Sequence, residues 1–239
     1  MEIKGKKVII LGGSSGLGLA TAKKAAGKGA SVIIVSSNQQ KINAALKELP
    51  EGTEGLAVDL SREENIRDMF NKTGSYDHLV YCAGESLSLS TIDATDIPQA
   101  RDFFTIRFWG PFAAVKYGAV HLNAGGSISL ISGTANLRPG SGWSVASSIC
   151  GAIEGFVRAM AVELAPLRVN CVVPGVVKTP LWNSMTEAAR EGLYKYVTDS
   201  VLLKRVAEAE DIALGFIYLM EQDHATGQSL LIDGGTLLV

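Results

Sequence analysis

Residues 7–18 read KVIILGGSSGLG. An aliphatic, β-branched run reads as a strand; it stops at a glycine-rich turn, and residues 16–29 then fit a helix. Gly12, Gly16 and Gly18 set the spacing GxxxGxG. In a strand–turn–helix of this kind, glycine permits the tight turn, lets the backbone approach a pyrophosphate closely, and packs helix on strand. A glycine triplet alone is weak evidence, and its place between these two elements carries the reading. The loop residues Gly12, Ser14, Ser15, Gly16, Leu17 and Gly18 are therefore expected to seat a dinucleotide.

The same strand–helix rhythm runs outward from this stretch. Strands are expected at SVIIVS (31–36), GLAVD (55–59), HLVYCA (78–83), GSISLIS (126–132), RVNCVV (168–173) and SLLID (229–233). Helices are expected at 39–49, 62–72, 97–105, 109–122, 148–164 and 208–220. The strands are continuous apolar runs, as when helices cover both faces of a sheet. That alternation specifies an α/β fold, a single doubly wound parallel-sheet (Rossmann) domain over residues 1–239. Residues 178–203 interrupt the rhythm with an amphipathic stretch carrying Trp182, Tyr194 and Tyr196. This insertion is expected either to cap a substrate pocket or to pack on the body as an ordinary helical excursion.

Bulk properties narrow the function classes. A net charge of −2 offers no electrostatic case for nucleic acid or an anionic membrane. No apolar run is read as reaching spanning length, and MEIKGKKVIILGG reads as a first strand rather than a signal segment. Cys82, Cys150 and Cys171 are widely spaced with no CxxC pair, so no metal site is expected, and buried thiols suit a cytoplasmic location.

Several further segments, together with the glycine loop, make the chain resemble the short-chain dehydrogenase/reductase (SDR) family along essentially its whole length. They are VDL (58–60), YCAG (81–84), RVNCVVPGVVKTP (168–180) and IDGG (232–235). The resemblance implies that Asp59 contacts adenine with Leu60 beside it. It implies that Cys82, Ala83 and Gly84 line the cofactor. It also places Pro174, Gly175, Val177 and Thr179 at the nicotinamide, Thr179 holding the amide. It further implies a small-molecule substrate and a homodimer or homotetramer. The second strand ends in VSSNQQK, without the carboxylate that would bind the ribose 2′-hydroxyl of NAD(H). Ser36, Ser37 and Asn38 supply donors for a 2′-phosphate and Lys41 lies nearby, so NADP(H) is favoured over NAD(H). The competing role for Ser and Asn here is to turn the chain and cap a helix.

The family performs its chemistry with Ser, Tyr and Lys, supported by an Asn. Anchoring GAIEG (151–155) to the family helix puts the Tyr position at Ala146, the Lys position at Cys150 and the Ser position at Gly133. The Asn position falls on Arg107 in IRFWG (106–110). All four residues are changed, which resembles a divergent branch of the family lacking the Ser–Tyr–Lys set. Related fungal alkaloid-pathway members of such a branch reduce an iminium, or assist a cyclisation, with NADPH. Those members carry an Asp near the Trp, and RPGSGW (138–143) has none. Three residues are candidates for the chemistry. Arg107, a guanidinium in an apolar stretch, would stabilise an oxyanion, bind a substrate carboxylate, or serve a structural ion pair, with Glu85 as its partner. Ser132 would orient substrate or cap a turn. Trp143 would stack on substrate, lining the pocket with Trp182, or fill core. Cys150 is expected to be a packing cysteine.

Two functions follow. One is an NADP(H)-dependent oxidoreductase of the SDR type with an atypical site, reducing a small-molecule C=N or C=O group. The other is a cofactor-binding pseudoenzyme or a non-redox cyclase or scaffold.

Overall fold

The computed structural model describes residues 2–87 and 89–239. In chain order the elements are β1 (Lys7–Leu11), α1 (Gly16–Gly27), β2 (Ser31–Ser36), α2 (Gln39–Leu46), β3 (Glu54–Ala57) and α3 (Glu63–Thr73). Next come β4 (Tyr76–Tyr81), α4 (Ile97–Phe104), α5 (Gly110–Gly118), β5 (Leu122–Ile131) and α6 (Ser144–Glu163). The chain ends with β6 (Arg168–Pro174), β7 (Val177–Lys178), α7 (Glu187–Ser200), β8 (Ala207–Glu208), α8 (Ala209–Glu221) and β9 (Ser229–Ile232). Seven strands form one parallel sheet in the order β3-β2-β1-β4-β5-β6-β9, and β7 pairs with β8 beside it. The expected doubly wound parallel sheet is therefore present.

Strand alternation divides the core into two layers. Ile9, Leu11, Ile33 and Val35 enter the cluster on one face, with Leu79, Ile153, Phe156 and Val157. Val8, Ile10, Val32 and Ile34 enter the cluster on the other, with Ala22, Ala25, Ile212 and Phe216. Both faces of the strands are buried because successive side chains point to opposite sides of the sheet and helices cover each.

Several boundaries differ from expectation for local reasons. β3 ends at Ala57, so Val58 and Asp59 leave the sheet and enter the loop beyond it. The helix expected at 109–122 ends at Gly118, where a Cβ would stand 2.6 Å from Tyr76 Oη; one 3₁₀ turn then leads into β5. α6 begins at Ser144 rather than residue 148, because the turn through Pro139, Gly140 and Gly142 is the real break. The expectation that no apolar run reaches spanning length is also corrected: α6 has 20 residues and is apolar enough, by length and composition, to cross a membrane. Here its Ile149, Ile153, Phe156 and Val157 pack into the core.

Two buried polar residues brace the strands beneath the cleft. Arg168 donates to the carbonyls of Leu219 (2.6 Å), Gln222 (2.7 Å) and Met220 (3.0 Å), satisfying the otherwise orphaned end of α8. His78 shares a 2.9 Å hydrogen bond with Ser127 Oγ, while its Nε2 is buried without a partner among the described residues. Burial first, and the Arg168 charge second, pull the His78 imidazole down from its ordinary 6.5 to about 4.

The folded protein therefore holds His78 neutral where the unfolded chain would protonate it. The stability that this contributes is full above pH 6.5 and is lost as pH falls towards 4, by about 3 kcal/mol in all at about 1.4 kcal/mol per pH unit. Urea midpoints measured between pH 8 and pH 4 should show this loss in the wild type. The His78→Asn variant, which keeps a polar partner for Ser127 but cannot titrate, should lack this part of it.

Candidate active site

The strand order reverses between β1 and β4, and a cleft of about 500 Å³ opens at the carboxyl ends of the strands there. The glycine loop builds its floor. A Cβ on Gly12 would lie 2.5 Å from Ala83 N, and one on Gly18 would lie 2.2 Å from Gly12 O. Both neighbours are backbone and cannot yield. Gly12 also adopts φ +87°, a conformation L side chains rarely take. At the head of α1, Ser15 makes no side-chain capping bond and the first turn contains no acidic residue. The amides there are left to an external acceptor, and the helix dipole favours an anion. On these two observations the loop fits a dinucleotide pyrophosphate.

Around this floor the fold gathers nearly all the predicted cofactor residues. Gly12, Ser14, Ser15, Gly16 and Leu17 line the cleft with Ser36, Ser37, Asn38, Asp59 and Leu60. Cys82, Ala83, Gly84, Pro174, Gly175, Val177 and Thr179 line it too. Gly18 does not: it is buried under Gly12 and acts through packing. Asp59 Oδ1 accepts from the Ser61 hydroxyl (2.7 Å) and amide (3.0 Å), which hold its carboxyl below the usual range and keep it ionised. Asn38 Oδ1 accepts from Lys41 N at 3.0 Å and caps α2. The capping role expected as an alternative is thus real, and it commits the carbonyl oxygen but not the amide protons. Lys41 also lines the cleft.

At the other end of the cleft, α4 passes into α5 through one wide π turn, Thr105–Trp109. Such a turn is often found at functional sites, where it re-aims side chains. Here it carries Arg107. The guanidinium lies against Gly84, where a Cβ would meet Cζ at 2.8 Å, and stacks on Phe103 with Cζ 4.5 Å from the ring centre. Its Nη2 donates to the Glu85 carbonyl, and its Nε stands 3.9 Å from Glu85 Oε2. The side chain is only 18 % exposed, and Nε has no hydrogen-bond partner among the described residues. Burial lowers the Arg107 guanidinium from its ordinary value, and the Glu85 charge opposes that shift. Tyr81 braces the same turn: its fully buried hydroxyl donates to the Ile106 carbonyl at 2.7 Å. Gly110 is the residue that makes room, since a Cβ there would lie 2.2 Å from Tyr81 Oη.

The other two predicted chemical residues are placed differently. Ser132 lines the cleft, but its hydroxyl donates to the Cys150 carbonyl (3.2 Å) and to the buried Glu154 carboxylate (3.1 Å). Trp143 is not among the lining residues. It immediately precedes α6 and meets Trp182, ring centres 6.4 Å apart. Trp182 lines the cleft, with its indole N–H donated to the Val177 carbonyl at 2.9 Å. Cys150 lines the wall as a thiol whose pKa is raised by burial, against opposing effects of Ser132 and Arg107. Ala146 is buried, and Gly133 faces the Cys150 sulfur, 3.4 Å from where a Cβ would stand. Sequence reasoning missed Tyr81, Ser86, Ile106, Ile149, Leu181 and Asn183 as lining residues. Leu181 and Asn183 had a signal in the amphipathic insertion at 178–203, Tyr81 in YCAG and Ile106 in IRFWG. That segment meets the loop after β4 through Leu87 N–Leu181 O (3.1 Å) and Ser184 Oγ–Leu87 O (2.9 Å).

A glycine-floored cleft at the switch point of a parallel sheet defines a Rossmann-type nucleotide-binding protein. The chain belongs to the SDR family, whose family model, described as an SDR-like Rossmann domain, matches residues 2–239. It is 34 % identical over 253 residues to the short-chain dehydrogenase/reductase ATR9 of Stachybotrys chlorohalonatus, covering 99 % of this chain and 98 % of that protein. Among solved structures, a small-chain dehydrogenase in complex with NADPH superposes with a TM-score of 0.84 at 30 % identity, covering 98 % of this chain and 99 % of the other. MalC Reductase/Diels-Alderase from Malbranchea aurantiaca superposes at 0.91 with 29 % identity, covering 99 % and 97 %. The protein is thus an SDR-type oxidoreductase.

Replacing Gly84 by Ala should drive the Arg107 guanidinium off its seat. The expected cost is about 1–3 kcal/mol of stability, the usual range for forcing a methyl into a packed site. Chemical denaturation of Gly84→Ala would measure it. A variant as stable as wild type would mean that the guanidinium moves freely.

Proposed function

We propose that this protein is an NADP(H)-dependent oxidoreductase with an atypical site that reduces a C=N or C=O group of a small molecule. The observation that carries this reading is Arg107. A charged, largely buried side chain lines the substrate end of the cleft, its buried Nε without a partner among the described residues, whereas residues 146 and 150 are Ala and Cys. On the family resemblance, those are the positions of the usual Tyr and Lys, so this chain falls in a branch lacking the Ser–Tyr–Lys set. A bound NADPH supplies hydride. The chain's own residues do the rest: the loop at 12–18 holds the pyrophosphate, and Ser36, Ser37, Asn38 and Lys41 favour a 2′-phosphate over a bare hydroxyl. Arg107 directs a hydrogen bond at the developing charge on substrate. Residues 180–183 close over the substrate end, so the insertion acts as its cap. Exposed Trp109, Phe112 and Val162 on the outer helices support the accompanying reading of a homodimer or homotetramer. A cytoplasmic location is part of the same reading.

Similarity to MalC, a reductase and Diels-Alderase, supports a second reading, in which the bound cofactor shapes a pocket for a non-redox cyclisation.

Calorimetry with NADPH and NADH, followed by nicotinamide absorbance against carbonyl and cyclic-imine panels, separates the two. The first reading expects NADPH to bind more tightly than NADH and to be oxidised with substrate. It also expects Arg107→Ala to lose turnover by about 10²-fold or more while still binding NADPH. Tight NADPH binding without oxidation on either panel would instead favour the second.

A further inference from the structure

The inner face of α6 buries Ile149, Ile153, Phe156 and Val157, and with them one carboxyl group, Glu154, 8 % exposed. Burying a carboxylate is costly unless it is paired or hydrogen-bonded. Among the described residues its partners are two neutral hydroxyls and no cation. Ser132 Oγ donates to Oε1 at 3.1 Å, and Ser229 Oγ donates to Oε2 at 3.2 Å. Both gaps are within hydrogen-bond range. The two serines open onto different places. Ser132 follows the end of β5, is half-buried and lines the cleft. Ser229 opens β9, the last strand of the sheet, and is exposed. The Glu154 carboxyl therefore spans β6, the strand between them, and joins the cleft to the outer edge of the sheet.

We infer that Glu154 is a proton relay, which resupplies Ser132 from solvent by way of Ser229 while Ser132 gives its proton to a carbonyl oxygen of the substrate. This relay rests on the reductase reading and narrows the acceptor from C=N or C=O to C=O. Ser132 is the member that touches substrate, and Glu154 and Ser229 act through it.

The Ser132 hydroxyl carries one proton and has two acceptors in reach, Glu154 Oε1 and the Cys150 carbonyl at 3.2 Å. A proton on Oε1 makes Glu154 the donor of their bond, and the Ser132 proton is then free to turn to another acceptor. In the reductive step the carbonyl carbon accepts hydride, the C=O π bond breaks and the nicotinamide is oxidised. The substrate oxygen takes the Ser132 proton as a new O–H bond. Ser132 takes the proton of Glu154 Oε1, which leaves a carboxylate. That carboxylate takes a proton at Oε2 from Ser229, which recovers one from water. A carbonyl oxygen gains negative charge as its carbon is reduced, so it needs this proton, whereas an iminium starts positive and needs none.

The titratable groups acting with Glu154 are the thiols of Cys150 on α6 and Cys171 on β6, and Arg158, one turn along α6, acts on Cys171. Burial raises both thiols, Cys171 to about 11, so neither gives up its proton to the chain of bonds. The Tyr81 hydroxyl is fully buried and donated to the Ile106 carbonyl.

The test uses the whole chain with NADPH, two carbonyl probes, camphorquinone and ethyl pyruvate, and a cyclic-imine probe, 2-methyl-1-pyrroline. It reads kcat and KM in H₂O and in D₂O for wild type, Glu154→Gln and Ser229→Ala, with NADPH affinity from calorimetry. Glu154→Gln keeps the shape of the side chain and removes the acid. It should lower kcat on the carbonyl probes by about 10²–10⁴-fold and leave NADPH affinity unchanged. Ser229→Ala cuts only the solvent end. It should lower kcat by less, leave KM unchanged and enlarge the solvent isotope effect, because resupply then limits turnover. A merely structural role for Ser229 would leave the isotope effect at its wild-type value. Should Glu154→Gln fail to fold, Ser229→Ala, at an exposed position, decides alone. If the carbonyl probes are reduced and Ser229→Ala keeps the wild-type rate and isotope effect, the relay falls and the reductase reading stands. A folded Glu154→Gln that keeps the wild-type rate has the same meaning. Reduction of the imine alone also overturns the relay and preserves the reductase reading. NADPH binding without oxidation on any probe overturns both.

Discussion

Gly12 meets the backbone of Ala83 across the boundary between β1 and β4, and Gly18 meets Gly12 from the first turn of α1. At both contacts a Cβ would stand within 2.5 Å of a backbone atom, so the two strands and the helix keep this approach only while both residues lack side chains. The approach places the uncapped N-terminus of α1 over the switch point of the sheet, and the cleft follows from it. Everything that lines the cleft is set relative to this floor, from Asp59 at one end to Thr179 and Trp182 at the other.

The substrate end depends on a second tight set of contacts. Tyr81 fills the space under the π turn, Gly110 makes room for its hydroxyl, and the hydrogen bond to Ile106 ties the turn to β4. The turn in turn delivers Arg107 onto Gly84 and Phe103. Burying a guanidinium this far is costly unless its donors are used. One is used by the Glu85 carbonyl, the ring of Phe103 covers one face, and Nε is left over. The side chain nonetheless lines the cleft and stays 18 % exposed there, although its Nε is fully buried. That is the physical reason for reading Arg107 as functional rather than structural.

Ser132 and Trp143 illustrate how far a residue's type falls short of its role. Both lie near the reactive end in sequence. Ser132 faces the cleft but gives its hydrogen bonds to Glu154 and Cys150, so it serves α6 as much as any ligand. Trp143 is not among the lining residues but meets Trp182, which lines the cleft from the insertion. Asn38 divides its functions, capping α2 with its oxygen while lining the cleft.

The amino-acid sequence by itself determined the strand–helix alternation, the parallel sheet and the glycine floor, because each of these depends on local pattern: apolar periodicity, turn chemistry and the absence of a Cβ. By resemblance to the family, it also led to the expectation that Ala146, Cys150 and Gly133 stand where a reductase would carry its chemistry. Tertiary structure alone decided that Glu85 and Arg107, 22 residues apart, face each other across 3.9 Å. It alone decided that Trp182 rather than Trp143 meets the cleft, and that α6, apolar enough to span a membrane, packs against the sheet. Those outcomes depend on which backbone segments are brought within a few ångströms of one another, and that is settled only when the sheet, the π turn and the helices are packed together.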